Sequence, residues 1–334
     1  MTKDEMPDVQ QPADEVVRSA ADDQDLQTVG DGDATPSRAS ELTKDGISGS
    51  LVGSRLGDFQ VMRKLGRGGM ADVYAARQLS LARDVALKIL RPDYARDKDY
   101  IHRFRREARA AAKLNHQNIV QVYEVGNVDS VYYIAQELID GENLRQILDR
   151  KGVIGLDEAV QVLVGVASAL EVAADAGITH RDIKPENVMR NLRGTIKVAD
   201  FGLARIGADV DATQSNLTQV GLTLGTPRYM SPEQVQGKSV DIRSDLYSLG
   251  VTAYHLLSGR PPFEAEDSLA LALMHLHETP VPLDRTRARR NSDGDPDLPE
   301  WLIAVVSRLM NKLAQERFQS PSELLDGIRN EAAV

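Results

Sequence analysis

The sequence predicts an α+β fold in two lobes, a small β-rich lobe followed by a larger helical one. Three observations predict it. Alternating apolar runs fill residues 59–138 and are interrupted by one helical pattern. Helical patterns then dominate from residue 157 to residue 329. Between the two regions, Asp140-Gly141-Glu142 is a polar connection. The N-lobe is assigned to 58–139, the C-lobe to 140–330, and residues 1–57 to a disordered acidic tail.

The tail follows from composition. Residues 1–50 hold 12 Asp/Glu against 4 Lys/Arg and no aromatic residue. Such a segment buries too little apolar surface to offset its ordering entropy. A regulatory or docking arm is the sharper alternative. In the N-lobe, Phe59–Leu65, Asp72–Gln78 and Arg83–Leu90 read as strands with Gly-rich or polar turns between them. Lys98–Leu114 reads as a helix, and Ile119–Val125 and Val131–Leu138 as two more strands. In the C-lobe, Asp157–Ala176, Ser244–Ser258, Ser268–Glu278, Glu300–Lys312 and Ser320–Arg329 read as helices. The polar stretch Asp284–Pro299 reads as an exposed loop.

Bulk properties exclude several classes. The net charge of -10 argues against a nucleic-acid partner. Cysteine is absent, which removes disulfides and thiolate metal sites and fits a reducing, cytoplasmic setting. The longest apolar stretches, Val162–Leu170 and Trp301–Val306, fall well short of the roughly 20 residues that span a bilayer. No membrane span is expected in this chain.

The first candidate site is Leu65-Gly66-Arg67-Gly68-Gly69-Met70-Ala71-Asp72-Val73-Tyr74. It lies between two strands, which disfavours a dinucleotide-binding turn, and it lacks the Gly-Lys-Ser/Thr of a P-loop. Glycines let backbone N–H groups approach phosphate oxygens, although a Gly-rich hairpin is by itself more often a plain turn. In Val85-Ala86-Leu87-Lys88-Ile89, alternation puts Ala86 and Lys88 on one face, where a small residue beside a cation suits a flat base with phosphates. Alone, the motif favours a surface lysine on an edge strand. Glu107 shifts that balance. It falls within the apolar stripe Ile101, Phe104, Ala108, Ala111 and Leu114, and a carboxylate on a buried face is costly unless paired. Lys88 is its candidate partner, and a solvated Glu at the edge of the stripe is the alternative.

The most informative cluster is His180-Arg181-Asp182-Ile183-Lys184-Pro185-Glu186-Asn187. A hairpin running through Val188–Met189, a turn at Asn191–Gly194 and Ile196–Val198 should return the chain so that Asp200 of Asp200-Phe201-Gly202 lies near Asp182 and Asn187. Two carboxylates and an amide suit Mg²⁺, a hard cation with oxygen ligands.

These motifs, in this order, resemble a protein kinase, and specifically a bacterial Hanks-type serine/threonine kinase, from Asp58 to about Arg329. Ser231-Pro232-Glu233 stands where the family has Ala-Pro-Glu, and Ala71 where it has a third glycine. The resemblance implies a two-lobed kinase fold and transfer of the ATP γ-phosphate to protein Ser/Thr hydroxyls. It implies that Asp182 accepts the substrate proton and Lys184 neutralises the moving phosphoryl. Asn187 and Asp200 would hold Mg²⁺, with Mn²⁺ as a substitute, and Lys88, clamped by Glu107, would hold the α/β-phosphates. Leu65, Val73, Ala86 and Met189 would wall the adenine, and backbone groups of Glu137 and Ile139 would read its edge. The glycine loop, with Gly66 and Gly68, would cover the phosphates. Gln136 stands at the gatekeeper position.

The resemblance further implies a long activation loop carrying Thr213, Ser215, Thr218, Thr223 and Thr226. Arg103, Arg181 and Arg205 would form a pocket for a phosphorylated residue there, with Thr218 or Thr223 modified in trans within a kinase–kinase dimer. Gly225-Thr226 and Lys184 point to Ser/Thr acceptors. Glu233 should pair with Arg317, and Asp245 should anchor the backbone of the catalytic loop. Two rivals are a pseudokinase scaffold that binds nucleotide without transfer and a small-molecule phosphotransferase. The full set Lys88, Asp182, Asn187 and Asp200 disfavours the first, and the intact Gly225–Glu233 segment disfavours the second.

Overall fold

Why Lys88 faces inward follows from how the first sheet is built. The computed structural model describes residues 51–201, 227–288 and 298–332, apart from the side chains of Glu107, Arg287, Ala288 and Ala332, all within the unit Arg38–Val334. The sheet comprises β1 (Arg55–Leu56), β2 (Phe59–Arg67), β3 (Ala71–Gln78), β4 (Arg83–Leu90), β5 (Val122–Val128) and β6 (Val131–Glu137). Their order across the sheet is β1-β2-β3-β4-β6-β5, with every pairing antiparallel. β4 is therefore an interior strand, and the edge-strand alternative for Lys88 does not hold. One face of β4, Val85, Leu87 and Ile89, packs with Phe59, Val61, Tyr74 and Tyr133. The other face carries Ala86, Lys88 and Leu90, and Leu90 packs with Phe104 and Ala108 of helix α1 (Lys98–Ala111). Both faces are buried, so β4 shows a continuous buried run from Val85 to Leu90.

Several boundaries differ from expectation. The folded chain starts ahead of residue 58: Leu51 and Leu56 are buried in the sheet core, and β1 pairs with β2. Expected strand Ile119–Val125 is displaced to Val122–Val128, because residues 118–120 pair with the second lobe instead. Ile119 bridges Val198 in parallel, Val198 N donates to Asn118 O at 2.8 Å, and Val120 N donates to Val198 O at 2.9 Å. α1 ends at Ala111, and Leu114 stays buried in the turn that follows.

The second lobe opens with β7 (Gly141–Asn143) and α2 (Leu144–Lys151). Asn143 and Gln146 form a capping box at the start of α2, which buries Leu144, Ile147 and Leu148. α3 (Leu156–Asp175) follows, then a 3₁₀ turn at Pro185–Asn187 and strands β8 (Val188–Asn191) and β9 (Ile196–Val198). β7, β8 and β9 form a small antiparallel sheet. Beyond it lie α4 (Pro232–Val235), α5 (Ile242–Ser258), α6 (Ser268–His277), α7 (Leu283–Ala288), α8 (Glu300–Leu309) and α9 (Pro321–Ala332). The stretch expected as a loop from Asp284 thus begins as a helix. Leu283 and Thr286 anchor it, and Thr286 Oγ1 lies 2.9 Å from Tyr254 Oη.

α5 is buried from Ser244 to Ser258, as a helix at the centre of a core must be. Two glycines permit its surroundings to close. A Cβ on Gly250 would come within 2.6 Å of Leu309 Cβ in α8, and one on Gly165 in α3 within 2.7 Å of Ile196 Cβ in β9. Among the described residues no helix is long and apolar enough to cross a membrane.

Candidate active site

The catalytic-loop segment lies between α3 and β8, and a buried carboxylate holds it. α3 ends at Asp175, and the chain turns at Gly177, whose φ of +68° glycine adopts without the cost a Cβ would bring. Asp245, on the first turn of α5, then accepts from two backbone donors: Oδ2 from His180 N and Oδ1 from Arg181 N, each at 2.7 Å. The anchoring role expected of Asp245 is what these bonds describe. Burial pushes its carboxyl up to about 7, against the pull of the two N–H donors. Arg181 adopts φ +69°, a left-handed conformation that costs a non-glycine residue about 1–2 kcal/mol.

Asp182 follows directly. Lys184 Nζ and Asn187 Nδ2 both donate to its Oδ2, at 2.7 and 2.8 Å. Asn187 Nδ2 also reaches Asp182 O at 2.8 Å, which fixes the amide with Oδ1 on the opposite side. The Asp182 side chain is 40% exposed, so an incoming group can reach it.

Asp200 is joined to this cluster through the backbone. Ala199 N donates to Asn187 O at 2.8 Å, and His180 Nε2 lies 2.9 Å from Ala199 O. Phe201 packs edge-on against the His180 ring, with centroids 4.6 Å apart, and is buried. Burial lowers the pKa of His180, so the ring is neutral, donating from Nε2 to Ala199 O and accepting at Nδ1 from Asp182 N at 3.2 Å. Asp200 takes φ +63° and meets Lys88, Nζ to Oδ1, at 2.8 Å. Burial alone would raise the Asp200 carboxyl, but the charge and hydrogen bond of Lys88, with Lys184 beyond, hold it below the usual carboxylate range. Asp200 is therefore ionised at neutral pH.

Lys88, Asp182, Lys184, Asn187 and Asp200 thus form one connected polar network. Glu107 lies on α1, but its side chain is outside the described residues. The partner of Lys88 among the described residues is Asp200, a pairing that no sequence pattern signals. A recess behind Lys88 is lined by Ala108, Ala111, Ile134, Gln136, Asp200 and Phe201, which puts Gln136 at the rear of the cleft.

The remaining site residues lie on the strands that frame the cleft. Val73 of β3 pairs with both Gly66 and Lys88, and Ala86 of β4 pairs with Gln136. Leu65 of β2 is exposed. Gly68 N donates to Ala71 O at 2.8 Å and closes the glycine turn. A Cβ built on Gly66 or Gly69 would meet nothing within 4 Å, so these glycines border open space. Met189 of β8 pairs with Lys197 and Asn143. Glu137 ends β6, and Ile139 lies in the connection between the lobes. The Glu137 side chain is engaged away from its backbone: Oε2 accepts from Lys197 Nζ at 2.8 Å and from Gln121 N at 3.2 Å. Lys197 was not singled out from sequence, where it reads as an alternating polar position of a strand.

The Glu233–Arg317 ion pair forms as expected. Arg317 is fully buried and donates through both terminal nitrogens to the Glu233 carboxylate, at 2.7 and 3.0 Å. Thr213, Ser215, Thr218, Thr223, Gly225, Thr226 and Arg205 lie outside the described residues.

This two-lobed fold and its interlobe network are those of a protein kinase domain. The chain belongs to that family, whose match covers residues 59–326. It is 43% identical over 264 residues to serine/threonine-protein kinase PknB of Mycolicibacterium smegmatis, covering 78% of this chain and 40% of that protein. It is 40% identical over 276 residues to PknB of Mycobacterium tuberculosis, covering 81% of this chain and 42% of that protein. The chain thus spans about two-fifths of the length of the curated relatives it matches. Among solved structures, the M. tuberculosis PknI kinase domain is similar at 30% identity with a TM-score of 0.65, covering 86% of this chain and all of that one.

Proposed function

We propose that this chain is a serine/threonine protein kinase that transfers the γ-phosphate of ATP to Ser/Thr hydroxyls of protein substrates. The observation that carries this reading is the single polar network joining Lys88, Asp182, Lys184, Asn187 and Asp200.

The donor set suits a nucleotide and a divalent cation. Gly66 and Gly69 border open space where a backbone can approach phosphate oxygens. Asp200 is held ionised, and Asn187 has its Nδ2 committed to Asp182, which leaves Oδ1 for a hard cation. When bound, ATP supplies the transferable phosphoryl, and Mg²⁺ or Mn²⁺ supplies positive charge against its oxygens. Leu65, Val73, Ala86 and Met189 wall the base, while backbone groups of Glu137 and Ile139 read its edge. Gly66 and Gly68 cover the phosphates. Lys88 holds the α/β-phosphates, and Glu107 is its clamp.

Asp182 orients the acceptor hydroxyl and takes its proton. Among the described residues both partners of its carboxylate are on Oδ2, which assigns Oδ1 to the acceptor. The acceptor oxygen bonds to the γ-phosphorus as the bond to the β,γ-bridging oxygen breaks, and Lys184 neutralises charge on the moving group. Such chemistry needs alignment and cations more than a strong nucleophile. Phosphorylation of Thr218 or Thr223 by a second copy and a cytoplasmic site of action complete the proposal. Purified chain incubated with ATP, Mg²⁺ and a Ser/Thr protein substrate should give phosphoserine or phosphothreonine by mass spectrometry, and chelation should abolish it. ATP binding without transfer to any hydroxyl would instead support a nucleotide-binding scaffold.

A further inference from the structure

Helix α4 carries a side chain that reaches into the catalytic loop. Gln234 takes part in a capping box with Ser231: Ser231 N donates to Gln234 Oε1 at 2.9 Å, and Gln234 N donates to Ser231 Oγ at 3.3 Å. That box uses only the oxygen of the Gln234 amide. The nitrogen goes elsewhere, donating from Nε2 to Arg181 O at 2.8 Å. Helix α4 is itself rigidly held, because the neighbouring Glu233 is locked to buried Arg317.

The carbonyl that Gln234 holds belongs to the Arg181–Asp182 peptide. Arg181 is in the left-handed region, where a residue with a Cβ stays only if its surroundings over-determine it. Asp245 fixes the N–H of Arg181, and Gln234 fixes its C=O. A peptide unit is planar, so fixing its oxygen also fixes the nitrogen and Cα of the next residue, Asp182. The carboxylate at the centre of the site therefore starts from an atom whose position Gln234 helps set.

We propose that Gln234 is a positioning residue for Asp182: it ties the Ser231-Pro232-Glu233 segment to the catalytic loop and orients the peptide from which Asp182 projects. The inference rests on the phosphoryl-transfer reading given above. If Gln234 served only to cap α4, its oxygen would matter and its nitrogen would not.

Two substitutions separate these roles. Gln234→Glu keeps the oxygen that caps Ser231 N and loses the donor to Arg181 O. Gln234→Lys keeps a donor of sufficient reach and loses the cap. Wild type, both variants and Asp182→Asn are compared in γ-phosphate transfer to one protein substrate, with thermal melting measured on the same samples. Positioning predicts a fall of about tenfold in kcat for Gln234→Glu, the size of one lost hydrogen bond. KM for ATP should stay within about twofold, and Gln234→Lys should be faster than Gln234→Glu. The proposal is overturned if Gln234→Glu matches wild type, or if Gln234→Lys is the slower variant. It is equally overturned if each loss of rate follows the loss of folded protein. No transfer by wild type would instead sink the underlying reading of the site.

Discussion

Asp245 lies under the catalytic loop with its whole carboxylate committed to two backbone N–H groups, at 2.7 Å each. Asp245→Asn keeps the shape but turns an amide N–H toward one of those donors. A buried donor left without an acceptor costs about 1–3 kcal/mol, and here the cost falls on the segment that holds Arg181 at φ +69°. The expected outcome is faster amide exchange at residues 180–182 and a thermal midpoint lowered by a few degrees. Unchanged exchange there would mean that the loop does not depend on Asp245. At this scale the grouping of Asp182, Asn187 and Asp200 was readable because a short hairpin returns the chain between them, whereas Asp245 was reached only through the kinase resemblance. It was silent on the Lys88–Asp200 pair and on Gln234. Both depend on which of several polar partners lies within 3 Å, and spacing along the chain carries no record of that.

At the scale of elements, the Glu233–Arg317 pair joins α4 to the turn before α9. Arg317 also donates to the carbonyls of Asn311, Lys312 and Arg243, so each of its nitrogens has an acceptor. Arg317→Ala leaves the Glu233 carboxylate without its counter-charge, with the Ser244 hydroxyl as its remaining side-chain partner among the described residues, and should cost about 3–5 kcal/mol, read as a lower urea midpoint. Arg317→Lys keeps the charge but loses the fork and should recover only part of that. A midpoint unchanged by Arg317→Ala would contradict the structural role. At the crossing of α5 and α8, Gly250→Ala forces a Cβ against Leu309 and should cost about 1–3 kcal/mol by overpacking, measurable in the same assay. Elements bounded by periodicity were legible: β4 begins and ends as read, and α3 and α5 fall within two residues. The misplaced elements have physical reasons. Ile119 and Val120 are apolar and strand-like, but together with the Asn118 carbonyl they pair with β9 across the lobes, which local pattern cannot reveal. β1 is two residues long and α2 eight, both below the length at which a period stands out. α7 hides in a polar stretch: among its described side chains Leu283 and Thr286 are buried while Asp284 and Arg285 are exposed.

At the scale of the molecule, acid sensitivity follows from histidines buried as neutral rings. His255 and His275 pack in the helical lobe against Tyr229 and Tyr247, and burial pushes both down to about 4 from an ordinary value of 6.5. Between those values the unfolded chain binds protons that the folded chain refuses, so stability rises with pH across the window from about 4 to 6.5 and is lost as pH falls through it. Asp245 acts in the opposite direction, since its folded value lies above its unfolded one. A His255→Gln/His275→Gln variant isolates the histidines, because the Asp245 contribution is common to both proteins. The stability of wild type relative to this variant should fall by up to about 3 kcal/mol per histidine on going from pH 6.5 to pH 4. A difference that does not change with pH would show that the rings are free to charge in the folded state.

The two lobes meet so that a lysine from one and two carboxylates and an amide from the other share a network. The measurement that tests this most directly is single-turnover transfer of labelled γ-phosphate from ATP with Mg²⁺ to a protein hydroxyl, by wild type and by Asp182→Asn at matched nucleotide occupancy. The account predicts that nucleotide binding stays within about twofold while transfer by Asp182→Asn falls about 10²- to 10³-fold, the effect of removing one charged group from a transition state. Equal transfer rates in the two proteins would contradict it.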